Sequence, residues 1–253
     1  MKMKAKRIDA MKDLIHQKNM MSIEDLSKHF DVSINTVRRD VNELEKRNVI
    51  KKVYGGVKAI KREVFNYDDR NIINKEEKTF IAQNACQYIE KGDILFIDSG
   101  TTTSEIVSFL PKEFEYTILT NNLDIINRCS VLSNITLIVL GSRFRHSTRS
   151  FVDIDFNSSV ADYNIDKAFM AATGISTDNG LSNAHYAEYD IKKWVVGKSN
   201  QIFALVDNSK FGYSTLMSYA TLDEIDYLIT DKKPNEEFVK LSNDYDFHLI
   251  YNQ

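Results

Sequence analysis

Cysteine, proline and glycine are scarce in this chain of 253 residues, at two, two and nine. Cys86 and Cys129 each stand alone, which excludes a CxxC metal knuckle, a local redox pair and a disulfide scaffold. So little proline and glycine excludes collagen-like repetition and a linker-rich or low-complexity chain. No run of about 18 apolar residues occurs, and no apolar stretch of signal-peptide length follows the basic first residues, so a cytoplasmic protein that avoids membranes is expected. The Walker spacing and GxGxxG are both missing, leaving nucleotide hydrolysis and NAD binding without local support. His16, His29, His146, His185 and His248 are scattered without metal-ligand spacing, and no nucleophile elbow occurs. No metal and no cofactor are expected.

What is present is the composition of an ordinary globular protein, 43% hydrophobic and 27% charged, long enough for one large core or two smaller ones. Its charge is uneven. Residues 1–60 hold ten Lys and four Arg against five Asp and three Glu, a net of +6, which leaves −9 on the remainder of a chain whose total is −3. A basic head on an acidic body points to a polyanion partner for the head.

Periodicity says what kind. Ile8, Met11 and Ile15 mark an amphipathic helix from about Lys4 to Gln17. Ser22, with Asp25 three residues on, opens a second helix carrying Ile23, Leu26 and Phe30. Ser33 caps a third that runs to about Asn48. On this third helix Val37, Val41 and Leu44 form one core stripe, and the opposite side carries Asn35, Arg39, Asn42 and Lys46, with Arg38 and Thr36 on the flanks. These side chains suit a major groove, where Arg pairs with guanine, Asn with adenine, and Thr or Lys holds phosphate. The alternative for Arg38 and Arg39 is pairing with Asp40 or Glu43 on the helix surface. Val49 to Val53, Tyr54-Gly55-Gly56, and Val57 to Ile60 then read as a small hairpin, with Lys51, Lys52 and Lys58 making a basic wing. Three helices and a wing make a winged helix-turn-helix.

The stretch Val32-Ser33-Ile34-Asn35-Thr36-Val37-Arg38-Arg39-Asp40-Val41, followed by Leu44-Glu45 and Tyr54-Gly55-Gly56-Val57, resembles the amino-terminal signature of DeoR-type bacterial transcription regulators. The resemblance implies DNA contacts from Ser33, Asn35, Thr36, Arg38 and Arg39; the outward helix face adds Asn42 as a candidate contact, and the wing adds Lys51, Lys52, Tyr54, Gly55 and Gly56.

Residues 61–74 read as the connection, and a second domain fills 75–253. There a helix from about Lys75 to Ile89 precedes the apolar strand Ile94 to Ile97, which runs into Asp98-Ser99-Gly100-Thr101-Thr102-Thr103 and another helix. Strand, hydroxyl-rich glycine turn and helix make an anion cradle, because free backbone N–H groups and hydroxyls all donate to phosphate oxygens. Further apolar strands at 116–119, 135–140, 167–172, 202–206 and 227–230 complete six, each with polar residues at its carboxyl end. An open, mostly parallel α/β sheet with its ligand at those ends is expected.

Asp98-Ser99-Gly100-Thr101-Thr102, Thr120-Asn121, Asp166-Lys167-Ala168-Phe169, Thr173-Gly174-Ile175, Gly180-Leu181 and Asp207-Asn208-Ser209-Lys210-Phe211-Gly212 resemble the DeoR sensor domain. The resemblance implies a fold related to ribose-5-phosphate isomerase and a phosphorylated sugar as effector. By it, Ser99, Gly100, Thr101 and Thr102 hold the phosphate, and Asp98, Asn121, Asp166, Glu188 and Lys210 contact the sugar. Plainer roles stand beside these: Asp98 or Asp207 as caps, Asn121 in a turn, Glu188 on a solvated helix face, Lys210 in a surface pair. Arg143, Arg145 and Arg149 cluster next to Gly141-Ser142, where the family commonly has Gly-Gly. They either add a phosphate or carboxylate contact, with Arg143 the candidate, or form a solvated basic loop.

The sequence and the resemblance therefore point to a DNA-binding regulator, with repression the usual outcome in the family, released from an operator by a sugar phosphate. One winged head covers a half-site, so a homodimer or homotetramer is expected. A sugar-phosphate isomerase-like enzyme with a DNA-binding appendage is the alternative, since Asp98, Asp166, Glu188 and Lys210 supply acid–base residue types.

Overall fold

The computed structural model describes residues 2–46, 50–59, 67–155 and 162–252. The chain divides into two units, Met1–Val64 and Phe65–Gln253.

In the first unit, α1 (Lys2–Lys18) buries Ile8, Met11 and Ile15 along one stripe. After strand β1 (Met20–Met21), Ser22 caps α2 (Ile23–Phe30), its hydroxyl accepting from the Asp25 amide at 3.0 Å; the helix stops at Asp31 in the left-handed region. The third helix, α3 (Ile34–Lys46), starts at Ser33, whose Oγ accepts from the Thr36 amide. Leu26, Val37, Val41 and Leu44 close the core against α1. Strands β2 (Ile50–Val53) and β3 (Gly56–Ala59) form the wing hairpin. The expected wing ends Val49 and Ile60 lie outside the described residues. β1 pairs with β3 on its other side, a third strand that its two residues were too short to announce. The two wing glycines have different tasks. Gly55 turns the hairpin at φ 87, whereas a Cβ on Gly56 would lie 2.2 Å from the Met21 carbonyl oxygen, so Gly56 is needed for the close approach of β1.

In the second unit, residues 67–74 of the expected connection are structured: α4 (Tyr67–Ile72) buries Tyr67, and α5 (Lys75–Cys86) follows. Residues 61–66 lie outside the described residues. β4 (Ile94–Ile97) leads through the 98–102 loop to a single 3-10 stretch, Thr103–Ser108, in place of the expected helix. Next come β5 (Tyr116–Thr120), α6 (Leu123–Cys129) and β6 (Ile135–Val139), then a small hairpin of β7 (Arg143–Arg145) and β8 (Ser150–Val152). β9 (Ile165–Ala171) returns to the sheet centre. β10 (Gly174–Ser176), β11 (Gly180–Asn183) and, later, β13 (Met217–Ala220) make a separate three-stranded sheet. Between them lie α7 (Tyr189–Lys198) and β12 (Ser199–Leu205), and β14 (Tyr227–Ile229), α8 (Glu236–Asp244) and β15 (His248–Ile250) end the chain.

Seven strands form a wholly parallel sheet in the order β15-β14-β12-β9-β4-β5-β6. The seventh, β15, went unread because it offers three residues at an edge. From β4 the chain steps outward to β5 and β6, and from β9 it steps the other way to β12, β14 and β15. The point where winding reverses lies between β4 and β9, where parallel sheets open a crevice for ligands. Along the central strands alternate residues serve the two faces. Phe96, Ala168, Met170 and Ala204 pack with Ile191 and Val195 of α7, while Leu95, Ile97, Phe169, Phe203 and Leu205 pack with Ile81, Ala82 and Ala85 of α5.

Phe203 stacks on Tyr227 with centroids 4.3 Å apart and also meets Phe169 and Tyr88. Phe203→Ala is expected to cost the second unit about 3–5 kcal/mol, the range for a buried aromatic truncation. Urea unfolding followed by the fluorescence of Trp194 measures it, and a loss below about 1 kcal/mol would show that this stack is not part of the stabilising core.

Candidate functional site

On the first unit, burying Val37, Val41 and Leu44 turns the other side of α3 outward, so Ser33, Asn35, Arg38, Arg39 and Asn42 are exposed and Thr36 half-buried. The acids that could have paired with the arginines are engaged elsewhere. Asp40, fully buried, accepts from Arg7 through Nε at 2.8 Å and Nη2 at 3.3 Å. Glu43 accepts from Lys4 at 2.9 Å, and Glu45 accepts from both the amide and the ammonium of Lys52. Arg38 and Arg39 have no acidic partner among the described residues. Lys51 is exposed on the wing, and Tyr54 stands fully exposed at its tip. Lys52 is already tied to Glu45, which leaves less of it for a partner.

On the second unit, the polar residues gather at the reversal point. Asp98 directly follows β4; its amide donates to Phe169 of β9, and its Oδ2 accepts from the Ala171 amide at 2.9 Å and from the Lys192 ammonium. Lys192 also donates to the Ala171 carbonyl and lies over the Tyr219 ring, whose hydroxyl donates to that same carbonyl at 2.8 Å. Burial, with Asp98 and Glu188 nearby, drives the Tyr219 pKa well up. The other carboxylate oxygen, Asp98 Oδ1, is buried without a donor. Gly100 is required where the loop crosses β9, because a Cβ there would meet Ala171 Cβ at 2.2 Å.

The loop amides of Ser99, Gly100, Thr101 and Thr102 have no acceptor among the described residues. Its hydroxyls divide. Thr103 donates to the carbonyls of Asp98 and Gly100, and Ser104 to that of Thr101. Ser99 Oγ donates to Glu188 at 3.0 Å, so toward an anion Ser99 has only its amide to offer. Thr101 and Thr102 keep their hydroxyls free among the described residues. Glu188 is buried ahead of α7 rather than on a solvated face, and also accepts from Ser150 at 3.2 Å and Asn183 at 2.7 Å. Asn121 donates to the Phe151 carbonyl, and its Oδ1 is buried without a donor. Asn122 caps α6 through Oδ1 and gives its amide to Tyr67 Oη and the Ser99 carbonyl.

Cations line one side. Lys78, buried at the start of α5, donates to the carbonyls of Arg70 and Ile73. Burial pulls its pKa down to about 8; Asp207 and Glu105 oppose this, Lys210 and Arg70 reinforce it. Asp207 accepts from Asn74 at 3.0 Å and lies 3.8 Å from the Lys210 ammonium. His185, bonded to Arg145, is held below its ordinary value first by burial.

Residues 7–63 match the model of the DeoR-like helix-turn-helix domain, and residues 73–232 match that of the DeoR C terminal sensor domain. The chain belongs to the DeoR family. It is 43% identical over 244 residues to the HTH-type transcriptional regulator IolR of Bacillus subtilis, covering 96% of this chain and 97% of that one. It is 29% identical over 238 residues to the glycerol-3-phosphate regulon repressor of Escherichia coli, covering 94% of each. A solved ribose 5-phosphate isomerase from Methanocaldococcus jannaschii superposes on 55% of each chain at 18% identity and a TM-score of 0.41. As a DeoR protein the chain is a DNA-binding transcriptional regulator, and the alternative of an isomerase-like enzyme is not favoured.

Within this DeoR sensor domain, two expected contacts are not brought to the crevice. Asp166 lies at the amino end of β9, five residues and roughly 16 Å of strand from Ala171, where its carboxylate accepts from the Ile94 amide and from Asn200. The strand starts at Ile165, one residue before it, so Asp166 falls at the wrong end of the sheet. Arg143 is two-thirds exposed on β7 and paired with Asp153 at 2.6 Å. Arg149 is likewise taken, by Asp124. Conversely, Lys192, Tyr219, Asn122, Tyr67, Lys78 and Arg70 were missed as site residues. Lys192 and Lys78 sit within the first turns of their helices, where a lysine reads as a solvated face; only their spacing with the apolar residues of α7 and α5 marks them as inward. Among the described residues, no three His, Cys, Asp or Glu side chains gather as a metal site, and no helix is long and apolar enough to cross a membrane.

The buried ammonium of Lys78 carries a pH signature. Its folded pKa of about 8 lies below the ordinary 10.5, so between those values the unfolded chain holds more protons and stability rises with pH. The stability of wild type relative to Lys78→Met is expected to increase from pH 8 toward pH 10 and to be flat from pH 6 to pH 7. Melting temperatures of both proteins across that range measure it, and a difference that falls above pH 8 would contradict the depressed value.

Proposed function

We propose that this DeoR regulator works in the cytoplasm as a repressor of genes for sugar metabolism, and that a phosphorylated sugar held between β4 and β9 releases it from its operator. One observation carries this: among the described residues, loop amides without an acceptor stand next to buried acceptors without a donor. The amides of Ser99, Gly100, Thr101 and Thr102, with the hydroxyls of Thr101 and Thr102, want an anion. Asp98 Oδ1 and Asn121 Oδ1 want hydroxyl donors, since a buried acceptor without a partner costs about 1–3 kcal/mol. A molecule with a phosphate at one end and hydroxyls along its body supplies both.

In this assignment Lys210 and Lys78 add positive charge on the phosphate side, and Glu188 positions Ser99. A relative named for the glycerol-3-phosphate regulon, and as its repressor, supports both the effector class and the sign. Ser33, Asn35, Thr36, Arg38, Arg39 and Asn42 of the head contact the operator, assisted by Lys51, Lys52, Tyr54, Gly55 and Gly56 of the wing. A single head spans a half-site, so the active form is a homodimer or homotetramer on paired half-sites. Release requires only that the effector bind the DNA-incompetent arrangement more tightly, by a few kcal/mol.

The test is fluorescence anisotropy of the full chain on DNA upstream of its own gene, titrated with a panel of triose, pentose and hexose phosphates. One compound is expected to release the DNA. Thr102→Val is expected to bind DNA as wild type does and to need roughly tenfold more of that compound, the loss of one hydrogen bond to a charged group. Tight DNA binding that no sugar phosphate changes would overturn the effector assignment.

A further inference from the structure

The three carboxylates of α3 fix directions on the recognition helix. Asp40 and Glu43 are held by Arg7 and Lys4 of α1, and Glu45 is held by Lys52 of the wing. At about 100 degrees per residue, the first two mark the flank toward α1 and the third marks the flank toward the wing. Val37, Val41 and Leu44 lie between them against the core. Arg38 falls on the wing flank, within about 20 degrees of Glu45. Asn35, Arg39 and Asn42 fall opposite the core at i, i+4 and i+7, one exposed column roughly 10 Å long. That is the height of about three base pairs at 3.4 Å each. On the wing, Lys51 of β2 and Lys58 of β3 are directly opposed in register. Such a like-charge rung is destabilising on its own and is relieved by a polyanion laid across it.

A side chain on the outward column meets the floor of a groove, where base edges lie, and one on the flank meets the wall, where phosphates lie. We propose that Arg39 is the base-reading residue of this head, pairing through both guanidinium donors with a guanine, with Asn35 and Asn42 directed at the neighbouring base pairs. Arg38, with Lys51 and Lys58, grips phosphate and carries no sequence information. Arg39 has both faces of its fork available because no acid among the described residues holds it. The assignment rests on DNA binding by the head and goes further by separating readout from grip.

The experiment selects duplexes from a random pool with the full chain as wild type, Arg39→Lys and Arg38→Ala, then measures the salt dependence of binding to the best duplex. Wild type is expected to enrich one motif. Arg39→Lys keeps the charge and loses the fork, so guanine preference at one position falls roughly 10- to 100-fold while the salt slope holds. Arg38→Ala is expected to enrich the same motif, weaken all duplexes alike and reduce the slope by about 0.9. An unchanged motif with Arg39→Lys, or an altered one with Arg38→Ala, overturns the assignment. A wild type that enriches no motif instead overturns sequence-specific binding by the head. Melting curves matching wild type separate either result from misfolding.

Discussion

The second unit depends on one buried ion pair. Asp98 and Lys192 meet where the sheet reverses its winding, and each also holds backbone of β9: Asp98 the Ala171 amide, Lys192 the Ala171 carbonyl. A charge buried alone would cost several kcal/mol, and breaking such a pair leaves that cost exposed. The pair is tolerated because Asp98 Oδ2 and the Lys192 ammonium each meet the other and one peptide group, although Asp98 Oδ1 is left without a donor among the described residues. It fixes the distance between the ends of β4 and β9, and therefore the mouth of the crevice. The loop from Ser99 to Thr102 can present its amides because its start is pinned by Asp98, its crossing is allowed by Gly100, and its carbonyls are occupied by Thr103 and Ser104.

The recognition helix solves a similar problem by different means. A helix that must face a polyanion carries three carboxylates, and each is neutralised by a cation on an adjoining element. Asp40 does more than balance charge, since its fork-to-fork contact with Arg7 is buried and sets the angle of α3 on α1. Surface pairs such as Lys4 with Glu43 add little stability. Their consequence is electrostatic: the outward face presents arginine and asparagine with no acid bonded to them among the described residues.

Much of this was legible in the sequence, for identifiable reasons. The three-helix head followed from apolar spacing and caps, because Ile8, Met11, Ile15, Leu26, Val37, Val41 and Leu44 repeat at helical period and are buried, and Ser22 and Ser33 cap the second and third helices. Six parallel strands were legible as short apolar runs ending in polar residues. Strands β1 and β15 were not, since two or three residues carry no period. The loop at 98–102 was legible from its glycine and hydroxyls. The partners that make it a site were not, because Lys192, Lys78 and Tyr219 are polar residues that helices or strands remote in sequence turn inward. Asp166 shows the converse error. A residue type suited to a sugar was placed by motif, and the strand register put it at the other end of the sheet.

Residues 67–74, the described residues of the second unit that come first in the chain, are tied to the crevice. Tyr67 accepts from Asn122, which holds the Ser99 carbonyl; the carbonyls of Arg70 and Ile73 are held by Lys78; Asn74 donates to Asp207. These bonds end on Asn122, which also holds the Ser99 carbonyl, on Lys78, and on Asp207, which lies 3.8 Å from the Lys210 ammonium. In the proposed function, a dianion beside Lys78 would raise the proton affinity of that ammonium and compete with the two carbonyls for its donors. Those carbonyls belong to the segment that leads to the DNA-binding unit. For an effector to act on DNA binding it must bind two arrangements with different affinity; in the proposed function, the hydrogen bonds of Lys78 and Asn122 would be the ones through which the crevice reaches residues 67–74.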